Sequence, residues 1–322
     1  MICCETPPED TGITATLRRG DVRTRCYASS PVRDDTRPTI VLVHGYPDTH
    51  AVWDRLVEQL ADDFRCVRYD VRGAGASSRP GATSAYRLNE LQADLEAVID
   101  WASPEAPVHV IGHDWGSIQS WEAVTDPRLA HRISSFTSIS GPCLDHVGHW
   151  LRDQWHNDRT SLKKQMRRSW YIGLFHLPLL PTLAWHTLLA RRWPQTVARM
   201  EGQTLPVNPT LAQDGANGIK LYRANVFARL RRPRERIAQV PVQIITPMRD
   251  AFVAPGFARG LERWVADLTV TPIDAAHWAV LTHPQAMAKH CADFIRARAS
   301  PALPIEPPAT VPQTRSSSRP HA

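Results

Sequence analysis

An aspartate set between glycines directly after an apolar strand is a costly place for a carboxylate, and residues 108–118, VHVIGHDWGSI, put Asp114 there. A desolvated carboxylate is unfavourable unless something stabilises its charge. A G-x-nucleophile-x-G run between strand and helix forces a sharp turn that thrusts the central side chain above a sheet, and Gly112 and Gly116 are small enough to permit it. The helix expected from Trp115 aims its amides and positive dipole end at that side chain. These features mark Asp114 as a nucleophile. A serine mechanism has no such support, because Ser117 lies beyond the turn.

A carboxylate nucleophile needs an oxyanion site and a base for the water that follows it. HGYPD, residues 44–48, follows the apolar run TIVLV, where the Tyr46 amide can join that of Trp115 around a developing oxyanion. ITPMRDAFVAP places Asp250 just past another apolar run, and AAHWAVLTHP places His277 in the loop after the last one. Asp114, Asp250 and His277 then occur in the nucleophile, acid, histidine order of a triad on an open α/β sheet. Asp250 has a competing reading as the cap of a helix near Pro255. Asp274 is its rival, three residues before His277, and His283 before Pro284 reads as a helix-start residue.

The elements that must carry these residues follow from periodicity. TGITATLRRGDVRTRCYAS alternates as a hairpin turning at Gly20. TIVLVHG, RCVRYD, VHVIGH, ISSFTSIS, VPVQIITP and DLTVTPID are short and nearly continuous in apolar character, as strands buried on both faces are. Most are separated by helical patterns: WDRLVEQLADD, LNELQADLEAVIDWA, GSIQSWEAVTD, APGFARGLERWVAD and PQAMAKHCADFIRAR. The series predicts an α/β fold with a mostly parallel eight-stranded sheet and helices on both faces. Residues 143–236 offer no convincing strand, only proline-broken helical stretches, and read as an inserted helical cap between a first core part at 1–142 and a second at 237–299. Residues 300–322, rich in proline and serine, read as a disordered tail.

Composition narrows the function classes. With 322 residues and 43% hydrophobic content the chain can bury a full core, which excludes disorder throughout. Six cysteines without metal-ligand spacing suit reduced thiols in a cytoplasm, and MICCETPPED, acidic and without a basic residue, does not read as a secretory signal. The net charge of +6 concentrates in the arginines of the insertion. Solvated helix faces are the plain reading and an anionic membrane surface the second. No motif for nucleic acid accompanies the charge. FHLPLLPTLAWHTLLARRW, apolar and ending in arginines, reads as cap packing over the site or as a surface resting on lipid, so cytoplasmic with peripheral membrane association is the expected location.

HGYPD, DVRGAGASS and GHDWGS together resemble the HGxP motif, the DxRGxGxS loop and the aspartate elbow of the α/β-hydrolase-fold epoxide hydrolases, over about residues 13–298. In particular the chain resembles the hydrolase portion of relatives that carry a C-terminal short-chain dehydrogenase domain; it shows no dinucleotide glycine fingerprint, and neither cofactor nor metal is implied. The resemblance implies two cap tyrosines that hydrogen-bond the epoxide oxygen, at Tyr171 in SWYIGLFHLP and Tyr222 in GIKLYRANVF. It further implies hydrolysis of a small hydrophobic, lipid-derived epoxide to a vicinal diol through an aspartyl ester. The histidine loop departs from the family in having Ala276 before His277. A haloalkane dehalogenase shares the aspartate chemistry and a tryptophan like Trp115, and a silent ligand- or partner-binding hydrolase is the alternative outside enzymology.

Overall fold

In the computed structural model, residues 13–31 and 35–299 are described. The sequence expectations for Cys3, Cys4 and the 300–322 tail fall outside the described residues. The hairpin forms where alternation places it. Strands β1 (Thr14–Arg19) and β2 (Val22–Ala28) pair antiparallel with Arg19 opposite Val22, and Gly20 turns between them at φ +58°.

The six apolar runs are all strands: β3 (Thr39–Val43), β4 (Arg65–Tyr69), β5 (Val108–His113), β6 (Ile133–Ile139), β7 (Val242–Pro247) and β8 (Leu268–Ile273). They form one sheet in the order β1-β2-β4-β3-β5-β6-β7-β8, in which the β1–β2 and β2–β4 pairs are antiparallel and the remaining neighbours parallel. Side chains alternate faces along each strand. Val41 and Val43 of β3 join the core under α2 (Leu88–Ala102) and α3 (Trp115–Val124), whereas Ile40 and Leu42 join the core under α1 (Asp54–Leu60). A single turn, α4 (Pro127–Ala130), leads into β6. Each such fully buried aliphatic side chain contributes about 1.5–3 kcal/mol.

After β6 the chain makes no strand until β7, only α5 (Leu144–Asn157), α6 (Arg159–Arg168), α7 (Trp170–Phe175), α8 (Leu180–Ala184), a wide π turn (Trp185–Leu189), α9 (Ala190–Glu201) and α10 (Leu211–Arg231). The last helices among the described residues are α11 (Ala279–Thr282) and α12 (Pro284–Ala299), the latter packed beside α1.

Two expectations need correcting. APGFARGLERWVAD does not form a continuous helix but two short 3-10 turns, Pro255–Ala258 and Leu261–Arg263, because Gly260 adopts φ +77° between them. Nor are the insertion's arginines all solvated. Arg229 of α10 donates to the buried Glu122 of α3 at 2.8 Å and to the buried Asp145 of α5 at 2.9 Å, and Arg236 pairs with both as well. Those pairs tie the helical insertion to the sheet domain, since removing one partner of a buried pair typically costs 3–5 kcal/mol.

Candidate active site

The turn after β5 is built from steric necessity. Asp114 sits at φ +50°, ψ −121°, a conformation that L residues adopt only under constraint. A Cβ on Gly116 would stand 1.9 Å from the Val43 carbonyl oxygen, and one on Gly112 2.6 Å from the Cα of Ser117. Gly45 faces the Asp114 side chain itself at 2.5 Å, and Gly141 faces its carbonyl at 2.1 Å. Four glycines on three segments therefore make room for the turn at one aspartate. Its amide donates to the Ile139 carbonyl at 2.9 Å, which fixes the turn against β6.

The carboxylate is divided in its partners. Oδ1 accepts from the Tyr46 amide at 2.8 Å, with the Trp115 amide also directed at the group. Oδ2 faces His277 Nε2 at 3.8 Å. On the far side of the ring, His277 Nδ1 donates to Asp250 Oδ2 at 2.9 Å, while Asp250 Oδ1 accepts from the amides of Phe252 at 2.7 Å and Val253 at 3.0 Å. The two sequence readings of Asp250 thus coexist: one oxygen stabilises the local turn and the other orients the histidine. Asp274, its rival, is 88% exposed and pairs with Arg249. His283 stands at the start of α12, where its carbonyl accepts from the Met287 amide. Ser117 is buried and donates to the Gly141 carbonyl at 2.6 Å.

Electrostatics follow from this enclosure. Burial pushes the Asp114 carboxyl up to about 6, against the opposing pull of His277 and the two amides. Burial would lower His277, but Asp250, Asp114 and Asp48 outweigh it and raise the imidazole to about 9. Burial would raise Asp250, but His277 and the amides of Val253 and Phe252 hold it below the usual carboxylate range. At neutral pH an imidazolium thus lies between two carboxylates.

Tyr171 of α7 and Tyr222 of α10 meet across the site with ring centroids 5.9 Å apart, and Tyr222 lies edge-on to Trp115 at 4.8 Å. Burial raises both phenols, which keeps them as hydrogen-bond donors. Asp114, Tyr171, Tyr222 and Phe252 stand between two cavities of about 480 and 290 Å³, to which all four contribute. His277 opens only onto the larger. The Tyr46 side chain does something its amide does not reveal: its hydroxyl donates to the Gly215 carbonyl of α10 at 2.8 Å, and its ring lies where a Cβ on Gly218 would be, 2.3 Å away.

Two further groups at the site escape sequence reasoning. Asp48, quoted above only as part of HGYPD, accepts from Trp278 Nε1 at 3.0 Å, and burial pushes it up to about 7. Glu201, at the end of α9, reaches across and accepts from the Trp278 amide at 3.2 Å, beside the His277 amide. No motif marks Glu201, because its role arises only where the insertion folds back on the histidine loop. The Trp115 indole Nε1 is buried without a hydrogen-bond partner.

The chain belongs to the α/β hydrolase fold family, which matches residues 38–284. Among curated proteins it is 40% identical over 272 residues to the Mycobacterium tuberculosis protein named "Probable oxidoreductase EphD", covering 80% of this chain and 45% of that one. The chain thus spans less than half the length of that relative. It is 38% identical over 109 residues to Epoxide hydrolase A of Mycobacterium tuberculosis, a third of each chain. Among solved structures, a Bacillus megaterium epoxide hydrolase in complex with an inhibitor superposes with a TM-score of 0.72 at 20% identity, covering 87% of this chain and 99% of that one, a likeness of fold.

Proposed function

We propose that the protein hydrolyses an epoxide to a vicinal diol through a covalent ester on Asp114. The observation that carries this reading is the division of the Asp114 carboxylate, with Oδ1 held by the Tyr46 amide and Oδ2 facing His277. In the first step Oδ2 attacks an epoxide carbon and the C–O bond of the ring breaks. The departing oxygen takes a proton from Tyr171 or Tyr222, which is replenished from solvent. Oδ1 becomes the ester carbonyl oxygen and already occupies its oxyanion site.

Ester formation removes the negative charge of Asp114, one of the charges that hold the proton on His277. The imidazole releases that proton and becomes a base, oriented by Asp250. It takes a proton from water, which adds to the ester carbon while the amides of Tyr46 and Trp115 stabilise the negative Oδ1. Collapse breaks the bond from the ester carbon to the former Oδ2, which takes the proton of the added hydroxyl and leaves in the diol, so that the carboxylate regains an oxygen from water and His277 is left as the imidazolium.

His277→Gln tests the scheme, because attack needs no base and hydrolysis does. Intact-mass spectrometry after exposure to an aryl or aliphatic epoxide is expected to show one added substrate mass. A folded variant that stays unmodified counts against the ester. The unpartnered Trp115 indole N–H favours one second reading, in which it holds a halide leaving group and the substrate is a haloalkane. Parallel turnover with haloalkanes separates the two, since halide release without diol formation from epoxides supports that reading alone. Supplying a nicotinamide cofactor alongside the epoxide tests the oxidoreductase name of the 40% identical relative; diol formation with no change in nicotinamide absorbance is expected.

A further inference from the structure

Apolar exposure is concentrated in one place. Of the fifteen large apolar side chains exposed among the described residues, eight lie within residues 166–188, on α6, α7, α8, the turns that join them and the π turn after α8. Leu179 is 83% exposed, and Leu180 and Leu183 about three-fifths exposed at 60% and 61%. A tip of this kind is not a product of loose folding. Leu179 is held at φ +57° between Pro178 and Pro181, and Arg223 clamps the preceding turn by donating to the carbonyls of Phe175 at 2.6 Å and Leu177 at 2.5 Å. A leucine kept in the left-handed region with its side chain in solvent serves no packing purpose.

The charges flanking the tip differ from the insertion's other arginines. Arg229 and Arg236 are spent on Glu122 and Asp145, but among the described residues Lys163, Lys164, Arg167, Arg168, Arg191 and Arg192 have no acidic partner within ion-pair distance. Basic pairs therefore bracket the leucines on both sides in sequence. Apolar side chains projecting between unpaired cations match a surface that is apolar within and anionic at its face. The tip also adjoins the site: Trp170 lines both cavities, and Leu174, Arg167 and Arg168 line the larger. No helix among the described residues is long and apolar enough to cross a membrane.

We propose that residues 170–192 dock the protein on an anionic lipid bilayer, leucines inserted and arginines at the headgroups, with the mouths of the two cavities facing the lipid. Apolar substrate then enters from the bilayer without crossing water. Docking does not depend on the reaction assigned above, and its test needs no turnover.

The full chain is mixed with vesicles of phosphatidylcholine, with or without phosphatidylglycerol, and sedimented. Binding is expected with the mixed vesicles, weakly with phosphatidylcholine alone, and lost at high salt. Leu179→Asp with Leu183→Asp is expected to weaken binding about 100-fold, about tenfold per leucine removed from the apolar phase. Arg191→Glu with Arg192→Glu is expected to weaken it at least about 25-fold, about fivefold per arginine. None of these four side chains lines the cavities, so turnover of a water-soluble epoxide is expected to be unchanged. Hydrogen exchange on the unaltered protein gives a reading free of folding defects, with vesicle-induced protection expected within residues 170–192. Absence of binding to mixed vesicles, equal binding to both compositions, or protection elsewhere overturns the proposal. So does a self-associating parent that the leucine variant dissociates without any vesicle binding, which would assign the tip to a second copy.

Discussion

The two halves of the site are held by different means. The sheet half, with Asp114, Asp250, His277 and the Tyr46 and Trp115 amides, is fixed by backbone: a strand register, four crowded glycines and amide-to-carboxylate bonds of 2.7–3.0 Å. The helical half, with Tyr171, Tyr222 and Glu201, is fixed by side chains reaching between layers. Arg229 binds Glu122 and Asp145, Tyr46 binds Gly215, and Asn225 accepts from the Leu88 amide at 2.9 Å. Backbone bonds specify a position to within a fraction of an ångström, whereas long side chains permit a layer to shift. In the reaction proposed above, the steps most sensitive to geometry, attack and base catalysis, fall to residues on the sheet, and the hydrogen bonds to the substrate fall to the helical layer.

Removing the nucleophile against removing the donors is the strongest way to break this division. Asp114→Ala is expected to lower kcat/KM by at least about 10⁴-fold, the scale of losing a covalent nucleophile. Tyr171→Phe and Tyr222→Phe are each expected to cost about 10²-fold in the rate of ester formation, and the double variant about 10³-fold or more, with little effect on ester breakdown. Rapid-quench measurement of ester formation and decay separates the steps. Ester formation at the parental rate in the double tyrosine variant would show that the helical layer holds no donor for the epoxide oxygen.

The same division explains what was legible in the sequence. Asp114 could be read because only glycine fits at Gly112 and Gly116, so the chemistry leaves a fixed local pattern. Strands β3 to β7 could be read because burial on both faces forces continuous apolar runs, and the β1–β2 hairpin because one buried face imposes alternation. The stretch after Asp250 misled because its helical periodicity is real, but Gly260 in the left-handed region interrupts it. Tyr171 and Tyr222 were placed by resemblance alone, as periodicity does not distinguish a packing tyrosine from one facing a cavity. Glu201 was invisible, because its partner lies 77 residues away in sequence and belongs to the other half of the site.

Glu201 is also where the comparison can be sharpened, as it carries the helical layer onto the histidine loop. Glu201→Ala removes the acceptor for the Trp278 amide and frees the loop that presents His277. The expected result is a loss of about tenfold in kcat, falling on ester hydrolysis, with KM falling alongside it, kcat/KM little changed and the ester accumulating in the steady state. Glu201→Gln keeps a carbonyl acceptor and is expected to restore most of the rate. Equal loss in both variants would mean that the charge of Glu201 matters rather than its hydrogen bond.

The smallest expected effect is a displacement of pH limbs, and it tests whether the sheet half works as one electrostatic unit. Asp114 must be ionised to attack, and burial has raised it to about 6, so kcat/KM is expected to fall about tenfold per pH unit below that value. His277 titrates near 9 in the free enzyme, where burial is overcome by Asp250, Asp114 and Asp48. Once Asp114 is esterified its charge is gone and burial is less opposed, so the imidazole must lose its proton at lower pH than in the free enzyme. Ester hydrolysis needs the neutral imidazole and is therefore expected to rise with pH through a limb below about 9, not at it. Single-turnover decay of the ester across pH 6–10 gives that limb directly, and titration of the free enzyme by imidazole NMR gives the other. Coincident limbs would mean that Asp250 alone holds the proton, and that attack by Asp114 does nothing to prepare the base for the second step.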